Sequence, residues 1–207
     1  MKLFIEKNLR SLYVVLALVF VSFVSQSALA QQGGGSGPAI GSHTAGFGLG
    51  QVMLLGDFGQ RLDDSIGFQF LYEYQASELF GLYVTIEKSS HSNANETEKL
   101  SLFGVIPHLR ANMAYVDQLT LFGFTGFGLM KASQTQNNVE GSVLTVVFDV
   151  GGGFDLALSE RFVFGTTFAF HNVFGKTDSV TITTNDPDGF SIGGTYLSLM
   201  LNVKYRF

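Results

Sequence analysis

The sequence predicts an all-β chain folded as an eight-stranded antiparallel up-and-down transmembrane β-barrel, and three observations carry that prediction. The first is the final stretch, where Leu197, Leu199, Leu201, Val203, Tyr205 and Phe207 alternate with Ser198, Met200, Asn202, Lys204 and Arg206. A period of two sends these sets to opposite faces of one strand, and an apolar-aromatic face opposite fixed charge suits lipid on one side and a polar lumen on the other. The second is composition: 46% of residues are hydrophobic, with 21 Phe and 25 Gly. After the amino-terminal segment, no apolar run reaches the roughly 20 residues of a spanning helix. Such a chain can satisfy its backbone in a bilayer only as a closed barrel. The third is the strict alternation of short and long joins between strand-like segments.

The chain begins with the layout of a secretory signal over residues 1–30. Lys2, Lys7 and Arg10 precede an apolar run from Leu12 to Val24, and Ala28-Leu29-Ala30 forms a small-x-small cleavage site. Cleavage there places Gln31 first in the mature chain. With no Cys anywhere, a lipid-anchored lipoprotein, disulfides, thiolate metal sites and thiol nucleophiles are excluded. Residues 31–42, beginning QQGGGSGPAIG, read as a flexible Gly-rich leader rather than a phosphate loop, since no Lys-Ser/Thr and no helix follow. Removing Lys2, Lys7, Arg10 and Glu6 from the totals leaves 9 bases against 16 acids, a net charge of -7. That balance argues against a nucleic-acid partner, whose phosphates require a basic footprint.

The barrel domain is expected over 43–207, with strands near 43–55, 65–75, 79–89, 98–115, 119–131, 141–158, 161–174 and 191–207. Three joins are short polar turns, Gln75 to Phe80, Tyr115 to Leu119 and Leu158 to Phe162, each entering a strand with an apolar or aromatic residue. The other four, Gly56 to Asp64, Ser89 to Thr97, Ala132 to Gly141 and Gly175 to Gly189, are longer and polar. With an even strand count, both ends of the barrel lie on the short-turn rim. Tyr74, Phe80, Tyr115, Phe162 and Tyr205 fall near that rim as an interfacial girdle. The Gly46-Phe47-Gly48-Leu49-Gly50 and Gly151-Gly152-Gly153 clusters lie inside strand patterns, where small residues let a tight barrel curve.

Lipid-facing sets follow by twos: Ile66, Phe68, Phe70 and Tyr72; Leu82, Val84 and Ile86; Phe103, Val105, Leu109 and Met113; Leu144, Val146, Phe148 and Val150; Phe164, Phe168 and Phe170. The fifth segment is ambiguous, because Leu121 and Phe127 oppose Phe122 and Phe124. Opposite the apolar sets stand Glu73, Glu87, His108, Arg110, Asp149, Asp155, His171, Lys204 and Arg206, with Gln69, Gln75, Tyr83, Thr85, Asn112, Thr167 and Asn202. An eight-stranded barrel is just wide enough for side chains to fill it. Acids and bases held away from water must pair, so a salt-bridged plug is the first expectation, and a narrow solute or ion pore lined by the same groups is the alternative.

The strand count, the three turns and the last strand resemble the small eight-stranded outer-membrane β-barrels of the OmpA/OmpX-like family over the whole mature chain. The resemblance implies a cell outer-membrane location, contact with outer-membrane lipid and lipopolysaccharide, and recognition of the final strand, with Tyr205 and Phe207, by the barrel-assembly machinery. No soluble peptidoglycan-binding domain follows Phe207, so the anchoring role of longer family members is not implied.

Chemistry beyond a barrel is thinly signalled. His171-Asn172 sits where a lipid A deacylase would carry its His, but that family's Ser two residues later is Val173 here, and acyl transfer then lacks its nucleophile. His108 reads as a plug residue, and His43 and His91 as exposed residues without a ligand cluster. Asp186-Pro187-Asp188-Gly189 is a turn rather than a calcium loop, since the spacing and final Glu of an EF-hand are missing. No catalytic residue, cofactor or metal is therefore expected. The four long loops present polar, acidic surface to the outside for an extracellular ligand, and Ser179 to Thr184 alternates as though to extend the last loop into a hairpin. The expected role is non-enzymatic, in envelope integrity or surface interaction, with the pore and a lipid A-modifying enzyme as alternatives.

Overall fold

Alternating side chains with turn residues between them close into a single antiparallel sheet in the computed structural model, which describes residues 39–95, 97–136, 139–174 and 193–207. The strands are β1 (His43–Leu55), β2 (Ser65–Gln75), β3 (Phe80–Ser92), β4 (Glu98–Val116), β5 (Leu119–Gln136), β6 (Val139–Ala157), β7 (Phe162–Phe174) and β8 (Gly194–Arg206). Each strand pairs with its neighbours in sequence, and β1 pairs with β8, so the sheet has no open edge around its circumference. The signal segment, most of the leader and the Ser179 to Thr184 and Asp186 to Gly189 expectations lie outside the described residues.

The short-turn rim forms as the spacing requires. Asp117 adopts a left-handed φ of 53° in the two-residue turn to β5, a conformation that Asp tolerates better than most residues. At the same rim His43 and Phe207 exchange backbone hydrogen bonds of 3.4 and 2.9 Å, joining the two ends of the barrel. Residues 39–42, at the end of the expected leader, form a turn in which Gly41 N donates to Gln75 O at 2.8 Å.

The outer rim differs from expectation in two places. A five-residue helix, α1 (Asp57–Arg61), occupies the loop after β1. The expected long loop from Ala132 to Gly141 is instead mostly strand, because β5 runs on to Gln136 and β6 starts at Val139. The period of two continues there: Ala132 and Gln134 are buried while Ser133 and Thr135 are half-buried on the other face. β4, β5 and β6 span 19, 18 and 19 residues, against the 9 to 11 or so that cross a bilayer. One side of the barrel therefore stands above the membrane.

The lipid-facing sets are all exposed or half-buried, as the pattern requires. The ambiguous fifth strand is resolved: Leu121, Phe127 and Leu129 face outward, and Phe122 and Phe124 are buried inside. The reason lies on the neighbouring strand, where Gly153 and Gly151 are paired with Phe122 and Phe124. A Cβ at Gly153 would stand 3.0 Å from the Phe122 ring as well as against the Thr166 carbonyl. These glycines make room for rings as well as for curvature.

Candidate functional site

The lumen gathers most of the charged side chains that the sequence singled out, and it is built in layers. Nearest the short-turn rim, Arg110 of β4 donates from Nη1 to Glu73 Oε2 of β2 at 2.8 Å and from Nη2 to Asp155 Oδ2 of β6 at 2.9 Å. Lys204 of β8 reaches Asp155 at 2.8 Å and Glu73 at 3.6 Å. Two bases thus alternate with two acids across the bore. The guanidinium also lies 3.7 Å over the Phe122 ring, and its Nε donates to Asn112 Oδ1 at 2.9 Å. Arg110 and Lys204 are each 1% exposed. Arg206, expected in the same network, lines the small cavity at this mouth with Thr44 and Gln75, and its position is half-buried.

Higher up, Gln69 donates to Asn202 Oδ1 at 2.7 Å, and Asn202 donates to Thr167. Beside them runs a continuous chain. His108 Nε2 meets Asp149 Oδ2 at 3.1 Å, Asp149 Oδ1 meets His171 Nδ1 at 2.8 Å, and His171 Nε2 meets Ser198 Oγ at 2.8 Å. Glu87 lies 3.7 Å from His171 Nδ1 and accepts from the Tyr196 hydroxyl. The Tyr196 ring stacks on His171 with centroids 4.1 Å apart.

The Ser198–His171–Asp149 order is that of an activated nucleophile. Sequence reading missed it because it sought Ser two residues after His171, whereas Ser198 arrives from β8, one strand away, with Ala169 as its register partner. Ser198 did fall on the polar face of the last strand, which was the available signal. The three side chains are buried within the bore, and two cavities along the lumen among the described residues are each about 10 Å³, room for about one water. Hydrogen bonding and orientation are what this arrangement can do as it stands.

Above this chain an apolar layer interrupts the polar lumen. Ile106, Leu102, Met130, Val147, Met200 and Val52 fill the bore as one buried apolar cluster, which corrects the expectation of a polar interior throughout. The cause is local: between Glu98 at its outer end and His108, the inward positions of β4 are Leu100, Leu102, Gly104 and Ile106, and the inward residue of β6 next beyond Asp149 is Val147. At the outer mouth stands α1. Leu62, just past it, is buried against the apolar cluster, while Arg61 Nη1 donates to Glu98 at 2.9 Å, which also accepts from Gln134 at 2.6 Å. His91, expected to be exposed, is 1% exposed. It lies 3.0 Å from the Ser89 hydroxyl and 3.1 Å from the Asp63 carbonyl, because it falls on the inward register of an elongated β3. His43 sits at the opposite rim, with its Nδ1 2.6 Å from the Tyr72 hydroxyl. Among the described residues, no group of three or more His, Asp or Glu is arranged to hold a metal ion.

Comparison with known proteins agrees with this architecture. A family model described as "Outer membrane protein beta-barrel domain" matches residues 16–207. The chain is similar to the crystal structure of Ail, the attachment invasion locus protein of Yersinia pestis, at 18% identity and a TM-score of 0.55, covering 82% of this chain and 100% of that one. It is similar to Neisserial surface protein A at 10% identity and a TM-score of 0.61, covering 81% and 97%. For the outer membrane protein OprG of Pseudomonas aeruginosa the values are 12% and 0.58, covering 83% and 98%. At these identities the likeness is one of fold. No curated protein sequence matches the chain.

Proposed function

The chain belongs to the outer membrane protein β-barrel domain family, and from that premise we propose that this outer-membrane barrel is a sealed, non-enzymatic scaffold serving envelope integrity or surface interaction through its outer loops. The observation that carries the reading is the double closure of the lumen. A four-charge cluster blocks one end, an apolar layer crosses the bore above it, and Arg61 of α1 is tied to Glu98 of β4 at the outer mouth. Ion conduction would require both layers to move together, since an apolar constriction blocks ions even where a polar one lets them pass.

The working surface is then the outer rim, where β4, β5 and β6 project. Ail has been solved in complex with the heparin analogue sucrose octasulfate, a precedent for a ligand bound by a barrel of this fold. The final strand, ending in Tyr205 and Phe207, is the segment proposed to be read by the barrel-assembly machinery. Phe207 is 65% exposed, and Tyr205 packs edge-on against Phe162 on the lipid-facing side.

The enzyme reading has one observation in its favour, the Ser198–His171–Asp149 geometry. Against it, an acyl ester in the surrounding lipid lies outside the wall while these groups lie inside it. Single-channel recording of the folded protein in a planar bilayer tests the scaffold reading: silence over a wide voltage range is expected, and steady ion-selective steps altered by Arg110→Ala or Lys204→Ala would replace it with a pore.

A further inference from the structure

The outward face of β3, β4, β5 and β6 changes character abruptly at one height. Backbone register aligns Lys88 with Phe103, Phe103 with Lys131, and Lys131 with Leu144. All four side chains are exposed on the lipid-facing side. Below this row, toward the short-turn rim, the outward residues are Ile86, Val105, Leu129 and Val146, which are apolar without exception. Above it the register aligns four hydroxyls in one line, Ser90, Ser101, Ser133 and Ser142. The next row carries Ser92, Lys99 and Thr135 and ends at Glu140.

Basic residues are scarce in this chain, so their placement is informative. Beyond residue 30 the lysines are Lys88, Lys99, Lys131, Lys176 and Lys204. Three of these five stand on this one stretch of outer wall, in a protein of net charge -5. Around the rest of the circumference, the outward positions beyond the apolar band, including Gln51, Asn172 and Thr195, carry no base among the described residues. Neither Lys88 nor Lys131 forms an ion pair among the described residues.

We propose that Lys88 and Lys131, with the serine row above them, form a binding site for the phosphate-bearing headgroup of an outer-leaflet glycolipid. The two lysines are two strands apart, so their Cα atoms are separated by about 10 Å at the usual strand spacing. Flexible stems of that reach let both ammonium groups converge on one phosphate or hold two on the same headgroup. Phe103 lies between the two lysines in register, and lysine stems can follow such apolar surface while their charged ends reach the headgroup level. Phosphate is met by charge, sugar hydroxyls by the serine row, and acyl chains by Ile86, Val105 and Leu129 directly beneath. The site rests on the outer-membrane location and is independent of whether the lumen is sealed.

The test uses the folded full barrel in detergent, titrated with bisphosphorylated lipid A, with the same lipid after removal of its phosphates, and with inorganic phosphate alone. Bound lipid is counted by native mass spectrometry. Wild type is expected to prefer the phosphorylated lipid. The Lys88→Gln/Lys131→Gln double variant is expected to bind it about thirtyfold more weakly, from about 1 kcal/mol per lysine near a membrane surface, while Lys88→Arg/Lys131→Arg retains it. Equal binding of both lipids by wild type, unchanged affinity in the Gln variant, or a preference lost to millimolar inorganic phosphate as a free competitor would each overturn the site. All three leave the barrel reading standing. Heat-modifiable migration checks that each variant is folded, and if the double Gln variant fails that check, Lys131→Gln alone carries the same comparison at about fivefold.

Discussion

Removing the Arg110 guanidinium is the sharpest perturbation the lumen offers. The side chain pairs with Glu73 and Asp155 at 2.8 and 2.9 Å, lies on the Phe122 ring, and is 1% exposed. Arg110→Ala leaves Glu73 and Asp155 sharing Lys204 as their one remaining cation in the cluster. Breaking a buried pair from one side costs about 3–5 kcal/mol, because the surviving charge is stranded away from water. The loss of packing against Phe122 works in the same direction. Neutralising the opposing charges as well changes the outcome: Arg110→Met combined with Glu73→Gln removes the stranded carboxylate and should be milder than Arg110→Ala alone. Reversible urea unfolding in phospholipid vesicles, followed by circular dichroism since the chain has no Trp, gives the free energies. A loss below about 1 kcal/mol for Arg110→Ala, or a double variant worse than the single one, would refute the claim that a buried charge network holds this end of the barrel.

Four further outcomes follow from the same geometry. Met130→Ala, in the apolar layer at 0% exposure, should cost about 2–5 kcal/mol in the same unfolding assay yet leave the protein silent in planar bilayers, because the charge cluster still closes the bore; conduction from this single change would mean that the apolar layer is the only seal. Gly153→Leu sets a side chain against the Phe122 ring and the Thr166 carbonyl and should abolish or strongly slow refolding, whereas Gly56→Asn at the outer loop, with φ of 62° and open space around it, should be near neutral. Intact lipid A incubated with the folded protein should keep its mass; acyl loss abolished by His171→Ala and Ser198→Ala would revive the enzyme reading. Deleting Phe207 should impair assembly in cells while refolding into synthetic lipid continues, and equal loss in both settings would make the residue structural rather than a signal.

Strand number, order and facing could be read from the chain because each depends on a local period. Ile66, Phe68 and Phe70 on β2, or Leu199, Leu201 and Val203 on β8, alternate within a few residues, and the pleat converts that directly into an outward face. The lumen residues were legible for the same reason: Glu73, Glu87, His108, Arg110, Asp149, Asp155, His171 and Lys204 all came out buried inside. Which of them meet is set by closure and register, and that was not legible. Gln69 and Asn202 bond across 133 residues of sequence, and Ser198 completes the His171 contact from a strand whose own pattern says only that it faces inward. The faces of Phe122 and Phe124 depended on glycines of the adjacent strand, and the burial of His91 on how far β3 continued past the membrane. The serine row and its two lysines are likewise invisible in one dimension, since four strands must be in register before scattered residues share a height. A period of two is a property of one strand; contact across a bore, or alignment around a wall, exists only once the sheet has closed.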